Sequence, residues 1–279
     1  MKHSFSFRHI LSSLGQYAVL VVAAVLVIYP NWAAFNLGMM SDTETGAYPP
    51  IQFPTGLRLE NIQRALEQAP LIQYLWNSVI QSSLVMIGQL VTASLAAFAF
   101  VFVDFKGRNF FFLVFLSTMM IPWEATIIPN YLTVKQLGWT DTFQGLAVPF
   151  MATGFGTFLL RQFFLKIPRE LHDAATIDGC SNLRFLLTIV LPLARPALGT
   201  LAVYSFLQTY NQYLWPLLIT NKPAMRTVQI GIALLQDEER LMINIVMGGV
   251  ILILLPTLML FVVSNRQLIR GLTAGAVKG

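Results

Sequence analysis

The chain has 279 residues, of which 56% are hydrophobic and only 11% are charged, and its mean hydropathy is +0.64. A soluble globular domain carries about 25% charged residues, so this composition excludes a soluble protein and indicates an integral membrane protein. The net charge of +5 is explained by cations placed in loops. No nucleic-acid partner is therefore expected.

Six apolar stretches are each long enough to cross a hydrocarbon core as a helix, which takes roughly 20 residues. They lie at approximately 16–37, 76–103, 110–133, 143–165, 193–219 and 242–265. Several contain Pro or Gly, which membrane helices tolerate where neighbouring helices satisfy the freed backbone groups. The sequence predicts an all-α polytopic membrane protein with six transmembrane helices, in one transmembrane domain spanning residues 1–279.

The beginning of the chain is predicted to be a span followed by a surface segment. The first apolar run exceeds the core of a signal peptide and is not closed by a small-x-small cleavage site, so it is expected to remain as a span. After it, residues 59–68 have the pattern of a short amphipathic helix lying on the membrane surface. Spans two and three are joined by the tight basic turn "DFKGRN".

Two charged residues fall inside predicted spans. Glu124 lies between Pro122 and Pro129, and these prolines predict a helix broken near the outer surface, where Glu124 meets water. The alternative is a functional role, the default for an ionisable group within a span. Arg161 is expected to extend to the headgroups from the end of span four. Its alternative is a cation that faces a cavity and favours a phosphorylated substrate.

The distribution of lysine and arginine sets the orientation, because cytoplasmic loops carry an excess of these residues. If the N-terminus is cytoplasmic, eleven cations lie inside and six outside, and Arg161 lies within a span. The inside set is Lys2, Arg8, Lys106, Arg108, Lys166, Arg169, Arg184, Arg195, Arg266, Arg270 and Lys278. The outside set is Arg58, Arg64, Lys135, Lys222, Arg226 and Arg240. Both termini are therefore predicted to be cytoplasmic.

A polar insert, residues 166–192, separates spans four and five. It holds six charged side chains, Lys166, Arg169, Glu170, Asp173, Asp178 and Arg184. At about 2.5–3.5 kcal/mol each, burying them in hydrocarbon costs on the order of 15–20 kcal/mol, so the insert must lie in the cytoplasm. Pro168 predicts a helix start, Gly179 a left-handed turn that ends the helix, and Ser181 the cap of a second helix.

The insert also carries a small face and apolar residues that are expected to meet another chain. Ala174 and Ala175 let a second backbone approach closely, and Leu183, Phe185 and Leu186 are suited to fill a cleft. A solvated amphipathic loop explains the same residues equally well on physical grounds alone.

Span five contains four residues at spacings of four, three and four, which places them on one helix face. They are Tyr204, Gln208, Asn211 and Trp215, the candidate pathway or substrate contacts. Amides and aromatic rings together suit a hydroxyl-rich ligand. The alternative is that Gln208 and Asn211 hold helices together, and that Trp215 belongs to the interfacial aromatic belt.

Several function classes lack their signatures. No G-x-x-x-x-G-K-[ST] phosphate loop is present, so any ATP is expected to be bound by another chain. One cysteine, Cys180, excludes a disulfide within the chain and a cysteine-rich metal site. The three histidines are scattered and none falls inside a span, so no metal site is expected. No nucleophile with its base lies in the spans, so no enzyme and no catalytic residue are expected. A stand-alone secondary transporter or channel is the alternative function, although two inverted halves are not evident.

The insert resembles the "EAA" loop of permeases of bacterial ABC importers. Its elements stand at the spacing of that motif, with Asp173-Ala174-Ala175, Gly179, Ile189 and Leu191-Pro192. Asp173 replaces the usual Glu, and Cys180 stands where Ala is common. The tail "RQLIRGLTAGAVKG" is similar to that of the second permease subunit of carbohydrate importers. "FLLRQFF" and "NQYLWPLLI" resemble the permease of sn-glycerol-3-phosphate importers within the group.

This resemblance implies a type I permease in the bacterial inner membrane, with residues 166–192 as its coupling loop. It further implies a heterodimer with a second permease, two ATP-binding subunits, an external solute-binding protein and surrounding membrane lipid. A sugar or an sn-glycerol-3-phosphate-like solute is expected, and the external loop 220–241 is expected to reach the binding protein. The residues implied in coupling to the ATPase are Glu170, Asp173, Ala174, Ala175, Asp178, Gly179, Leu191 and Pro192.

Overall fold

The computed structural model describes the backbone of residues 7–236 and 242–273, and the side chains of residues 14–236 and 242–262. Within these ranges the chain forms helices and turns, and no β-strand, which confirms the predicted all-α class. The α-helices are α1 (Phe7–Met39), α2 (Asp42–Thr45), α3 (Glu60–Gln68), α4 (Leu71–Phe102), α5 (Arg108–Ser117), α6 (Trp123–Gln136), α7 (Phe143–Ala147), α8 (Gly154–Phe164), α9 (Arg169–Ile177), α10 (Asn182–Phe185), α11 (Leu191–Leu193), α12 (Arg195–Tyr210), α13 (Leu214–Ile219), α14 (Val228–Gln236) and α15 (Ile243–Thr273).

Some predicted features fall outside the described residues. These include the cations Lys2, Arg240 and Lys278 of the orientation argument, the end of the external loop at 237–241, and the last six residues of the tail.

The membrane segments are of two kinds. Three are single helices long and apolar enough to cross a membrane, Leu14–Met39, Leu71–Phe102 and Ile243–Val262. Three more are helix pairs bent at a short break, Arg108–Met120 with Trp123–Gln136 (95°), Phe143–Phe150 with Gly154–Phe164 (48°), and Asn182–Leu193 with Arg195–Tyr210 (83°). The described chain therefore has three candidate spans, or six if each bent pair crosses once.

The 95° bend lies where the prolines predicted a broken helix. Pro122 precedes α6, and Ile121 before it has the extended backbone that a following proline favours. Glu124 lies exposed in the first turn of α6. The predicted break in the helix is confirmed.

The described residues fall into two compact units, one within residues 1–70 and 232–254, the other within 71–231 and 255–279. In the first unit, the end of α1 meets the start of α15 at two glycines, Gly38 and Gly248. Asn61 of α3 is buried beside them and donates hydrogen bonds to the carbonyls of Gly38 (2.9 Å) and Met40 (2.7 Å). The predicted amphipathic helix at residues 59–68 is therefore present, with Leu59 as its N-cap.

The segment after α1 is fastened by one carboxylate in the same unit. Glu44 is only 8% exposed and accepts hydrogen bonds from the backbone N–H groups of Ser41 (2.6 Å) and Thr55 (3.0 Å). The Thr55 hydroxyl also donates to it. These donors stabilise the charged form and lower the pKa of Glu44 from its usual 4.5 to about 2.

The second unit is built around α4, α8 and α12. Their small residues allow close packing, since a side chain on Gly156 would meet Ala93 and Leu201 at 3.2 Å each. The core that they share consists of Ala93, Ala97, Phe98, Val101, Phe102, Leu160, Phe164, Ile167, Ala175, Phe185, Leu186, Val190, Ala194, Ala197 and Leu201.

A second close approach in this unit occurs at Gly145 of α7. A Cβ atom there would collide with the backbone carbonyl oxygen of Trp139, which no side-chain rotation can move. The residue is therefore restricted to glycine by space alone.

We expect the loop held by Glu44 to open in acid. Because the pKa of Glu44 is lower in the folded loop than in an open one, its contribution is complete above about pH 4.5 and is lost as the pH falls through about 2. Pepsin cleavage within residues 41–58, measured relative to an unstructured peptide, should therefore increase as the pH falls from about 4.5 to about 2. Glu44→Gln should be cleaved equally at all pH values, and the exposed Glu67→Gln should behave as the parent chain. Cleavage of the parent chain that is independent of pH would contradict the assignment.

Gly145→Ala should destabilise the second unit by about 1–3 kcal/mol, because the added methyl group overpacks a site closed by backbone. The melting temperature in detergent, followed by tryptophan fluorescence, measures the effect. Gly56→Ala is the matched control, since a side chain there meets nothing within 4 Å. Equal melting temperatures for the two variants would refute the close approach.

Candidate functional site

The polar insert folds as the sequence predicts, as a helix, a glycine turn and a second helix. Pro168 precedes α9, and Glu170 lies in its first turn. The Ser181 hydroxyl caps α10 by accepting a hydrogen bond from the backbone N–H of Arg184 (3.4 Å). A π-helical turn, Leu186–Val190, then leads into α11.

The turn at Gly179 is a Schellman motif, in which two N–H groups reach back to carbonyls of the last helical turn. Cys180 donates to the carbonyl of Ala175 (2.8 Å) and Gly179 to that of Thr176 (3.0 Å). Gly179 has φ +74°, the left-handed conformation that glycine adopts without strain. The turn therefore fixes the angle between the two helices of the insert.

The insert presents one face outward and packs the other into its own chain. Glu170, Asp173, Ala174 and Asp178 are exposed, and Ile177 between them is 87% exposed. On the inner side Ala175 is 8% exposed and belongs to the core of α4, α8 and α12.

Part of the predicted contact surface is therefore wrong. Ala175, Phe185 and Leu186 are not available to another protein, because they are buried among residues of their own chain. Leu183 is exposed as expected, Leu191 is partly buried and Pro192 is exposed. The outward face available to another protein is narrower than the sequence suggested.

Two residues that the sequence analysis missed anchor the insert to the end of α4. The His172 ring packs against Phe102 (5.5 Å) and the edge of Phe185 (5.0 Å). Its Nε2 atom lies 3.2 Å from the side-chain oxygen of Asn182, which links α9 to α10. Arg169 donates to the Val101 carbonyl (3.2 Å). The insert is thus rigidly attached to a membrane-spanning helix.

A cavity of about 500 Å³ lies elsewhere in the same unit. Three of the four predicted pathway residues line it, Tyr204, Gln208 and Asn211. Its full lining is Gln89, Trp123, Phe150, Thr153, Tyr204, Ser205, Gln208, Thr209, Asn211, Gln212, Tyr213 and Leu214. These residues offer amides, hydroxyls and aromatic rings, and none of them is charged.

The fourth predicted residue, Trp215, is not part of this face. Helix α12 ends at Tyr210, and three residues separate it from α13, so the expected continuous helix face is wrong. Trp215 is 1% exposed, and its indole N–H donates to the carbonyl of Gly145 (3.1 Å). It is therefore a core residue, and the interfacial-belt alternative is wrong for it as well.

The hydrogen bonds separate the amides that join helices from those that face the cavity. Gln208 donates to the hydroxyl of Tyr204 one turn earlier (3.1 Å), and Asn211 donates to the carbonyl of Leu207 (2.9 Å). Neither bond joins α12 to another helix. Asn211 also accepts a longer bond from Gln229 (3.4 Å), so some helix-joining role for it stays open.

The amides that do join helices lie on α4, and the sequence analysis missed them. Gln89 accepts from Ser205 (2.5 Å) and donates to the Phe150 carbonyl (2.8 Å). Gln81 donates to the Gln212 side chain (3.1 Å). The amides of Gln81 and Gln89 are occupied by bonds to other segments of the chain. Among the described residues, the side chains of Tyr204 and Gln208 hydrogen-bond only to each other within α12, so they are the chief groups left for a ligand.

Arg161 is not among the residues that line the cavity. Its guanidinium carbon lies 3.9 Å from the centroid of the Phe112 ring, a cation–π arrangement. The structure therefore does not bring Arg161 together with the residues of this cavity.

Comparison with known proteins places these features in a family. Residues 69–268 match the family described as "Binding-protein-dependent transport system inner membrane component". The sn-glycerol-3-phosphate transport system permease protein UgpE of Brucella abortus (strain 2308) is 36% identical over 271 residues, 94% of this chain and 96% of that protein. UgpE of Escherichia coli O6:K15:H31 is 34% identical over 268 residues, 93% and 95% of the two chains.

A solved structure shares the fold. A chain of a bacterial ABC transporter involved in the import of the acidic polysaccharide alginate superposes with a TM-score of 0.83. The match covers 95% of this chain and 99% of that one, at 19% identity.

We predict that the insert depends on the left-handed turn at Gly179. A side chain there meets no atom within 4 Å, so Gly179→Val costs only the conformational strain, about 1–2 kcal/mol. A strain of this size raises the population of the open insert by about five- to thirtyfold, and proteolysis within residues 166–192 should accelerate by the same factor. Gly179→Asn is the matched control and should lie close to the parent chain, because Asn tolerates this conformation. Equal cleavage of the Val and Asn variants would contradict the motif.

Proposed function

The chain belongs to the family of binding-protein-dependent transport system inner membrane components, and on that premise we propose how its insert and its cavity serve import. It is a multi-pass membrane permease of an ABC importer, and it works with another permease, an ATPase and a binding protein. ATP hydrolysis takes place in the separate ATPase subunit, not in this chain.

In the assembly that we propose, the chain forms one half of the translocation pathway in a heterodimer with a second permease. Two ATP-binding subunits lie below, an external binding protein delivers the solute, and the chain needs no cofactor of its own. Both termini and the insert lie in the cytoplasm, which follows from the excess of lysine and arginine in those loops.

The exposed outer face of α9 is the observation that carries the proposal. Glu170, Asp173 and Asp178 stay in water, whereas Ala174 leaves room for another backbone and Ile177 offers an apolar contact. A surface of this kind suits docking in a cleft of the ATP-binding subunit. On the opposite side Ala175 and Phe185 are packed in the core, so a displacement of the insert is passed to α4, α8 and α12.

The cavity supports a hydroxyl-rich solute, either a sugar or an sn-glycerol-3-phosphate-like compound. Tyr204 and Gln208 offer hydrogen bonds to hydroxyl groups, and the rings of Trp123 and Tyr213 offer surfaces for C–H groups. Relatives with the same architecture are named for sn-glycerol-3-phosphate transport. Because no charged residue lines the cavity, we propose that the partner permease supplies the cation for a phosphorylated solute.

Ala174→Trp should separate ATP hydrolysis from import, because the large ring occupies the space that the docked subunit needs. In proteoliposomes that hold the whole importer, solute taken up per ATP hydrolysed should fall by about tenfold or more, the effect of losing about 1.4 kcal/mol of docking energy. Ala174→Ser keeps the small volume and serves as the control. A normal ratio in the Trp variant would remove the insert from the coupling mechanism.

Gln208→Leu should lower uptake per assembled complex by about two- to tenfold, since one hydrogen bond to a solute hydroxyl is worth about 0.5–1.5 kcal/mol. Its melting temperature should not change. Gln89→Leu is the contrasting variant, because it breaks bonds between helices and should lower the melting temperature. If Gln208→Leu lowered the melting temperature instead and left uptake per complex unchanged, Gln208 would not line the pathway.

A further inference from the structure

Two arginines converge on the end of α4. The guanidinium groups of Arg108 and Arg169 both donate to the carbonyl oxygen of Val101, at 3.4 and 3.2 Å. This carbonyl belongs to the last turn of α4, whose carbonyls have no partner within the helix. Because both groups reach one oxygen, two positive charges are held close together at one end of the bundle.

A third arginine lies nearby without an acidic partner. Arg161 rests on the ring of Phe112, which is one helical turn after Arg108 on α5. Its Nε atom is buried and has no hydrogen-bond partner. In the ranges that the structure describes, Arg161 forms no ion pair, and Asp104, paired with Arg108 at 3.2 Å, is the one carboxylate bound to any of these three arginines. Asp104 is exposed, so this pair compensates little of the positive charge.

The turn beside these arginines forms an open hollow of about 560 Å³, lined by residues 104–110. Lys106 adds a further cation, and α5 begins at Arg108, so its N-terminal N–H groups and positive dipole end face the same turn. Phe110 and Phe111, which follow directly, are exposed apolar rings. Cations and apolar surface thus stand side by side, as they do at the boundary between headgroups and hydrocarbon.

We propose that Lys106, Arg108 and Arg161 form a binding site for a phosphate-ester anion. Guanidinium groups match the oxygens of a phosphate with two parallel hydrogen bonds, and a phosphate would offset the positive charge that these side chains bring to this end of the bundle. Such an anion is supplied either by the headgroup of an anionic phospholipid or by a soluble phosphate ester. The site is separate from the cavity lined by Tyr204 and Gln208, and it does not depend on the proposed function.

The test uses the whole importer, purified in detergent and examined by native mass spectrometry. Phosphatidylglycerol is the lipid probe, phosphatidylcholine its reference, and glycerol phosphate the soluble probe. Losing one charged hydrogen-bond partner costs about 1.5–3 kcal/mol, so Arg161→Gln should bind the preferred probe about ten- to a hundredfold more weakly. Arg161→Lys keeps the charge and should retain most of the binding. Arg184→Gln removes an exposed arginine outside the cluster and is the control.

The two probes identify the source of the phosphate. If Arg161→Gln and Arg108→Gln weaken the binding of phosphatidylglycerol but not of glycerol phosphate, the site binds a lipid headgroup. If they weaken the binding of glycerol phosphate alone, the ligand is a soluble phosphate ester. Either result supports the phosphate site, provided that the variants keep the melting temperature of the parent complex. Unchanged binding of both probes in a chain that carries Arg108→Gln and Arg161→Gln together, or an equal loss in Arg184→Gln, would overturn it. Should Arg161→Gln fail to assemble, Lys106→Gln, on the exposed turn, provides the same comparison.

Discussion

The contact of Ala175, Phe185 and Leu186 with the core of α4, α8 and α12 holds the polar insert to the membrane segments. The six charged residues of the insert cannot enter hydrocarbon, so it must lie outside the bilayer, and its apolar side attaches it to the spans. His172 and Arg169 reinforce the attachment at the end of α4. Without it, a docked ATPase would move a loose loop and leave the spans unchanged.

The cavity shares two of these helices, α4 and α12. Gln89 of α4 is bound to Ser205 of α12, so the position of α12 against α4 is fixed by hydrogen bonds as well as by packing. Tyr204 and Gln208 of α12 line the cavity beside this hydrogen-bonded pair. In the mechanism that we propose, a movement of the insert would reach the cavity through helices α4 and α12, which both regions share.

Much of this arrangement was predictable from the sequence, because charge and hydropathy are local properties. The span regions, the broken helix at Pro122 and the turn at Gly179 all follow from residue type and spacing. The inward packing of Ala175 and the burial of Trp215 did not follow, since they depend on which distant helix lies opposite. The helix break after Tyr210 lies shortly before Pro216, whose ring in a continuous helix clashes with the carbonyl of Gln212, four residues earlier. The expected continuous face overlooked this proline and therefore failed at Trp215.

The account stands on the outward face of α9 meeting the ATP-binding subunit, and crosslinking from Ile177 tests it most directly. A photoreactive phenylalanine at this exposed position in the whole importer should form a covalent product with that subunit. The product should change in yield when ATP is bound. The same probe at Leu217, an exposed residue of α13, should give none. Absence of the product at Ile177, or an equal yield from Leu217, would contradict the account.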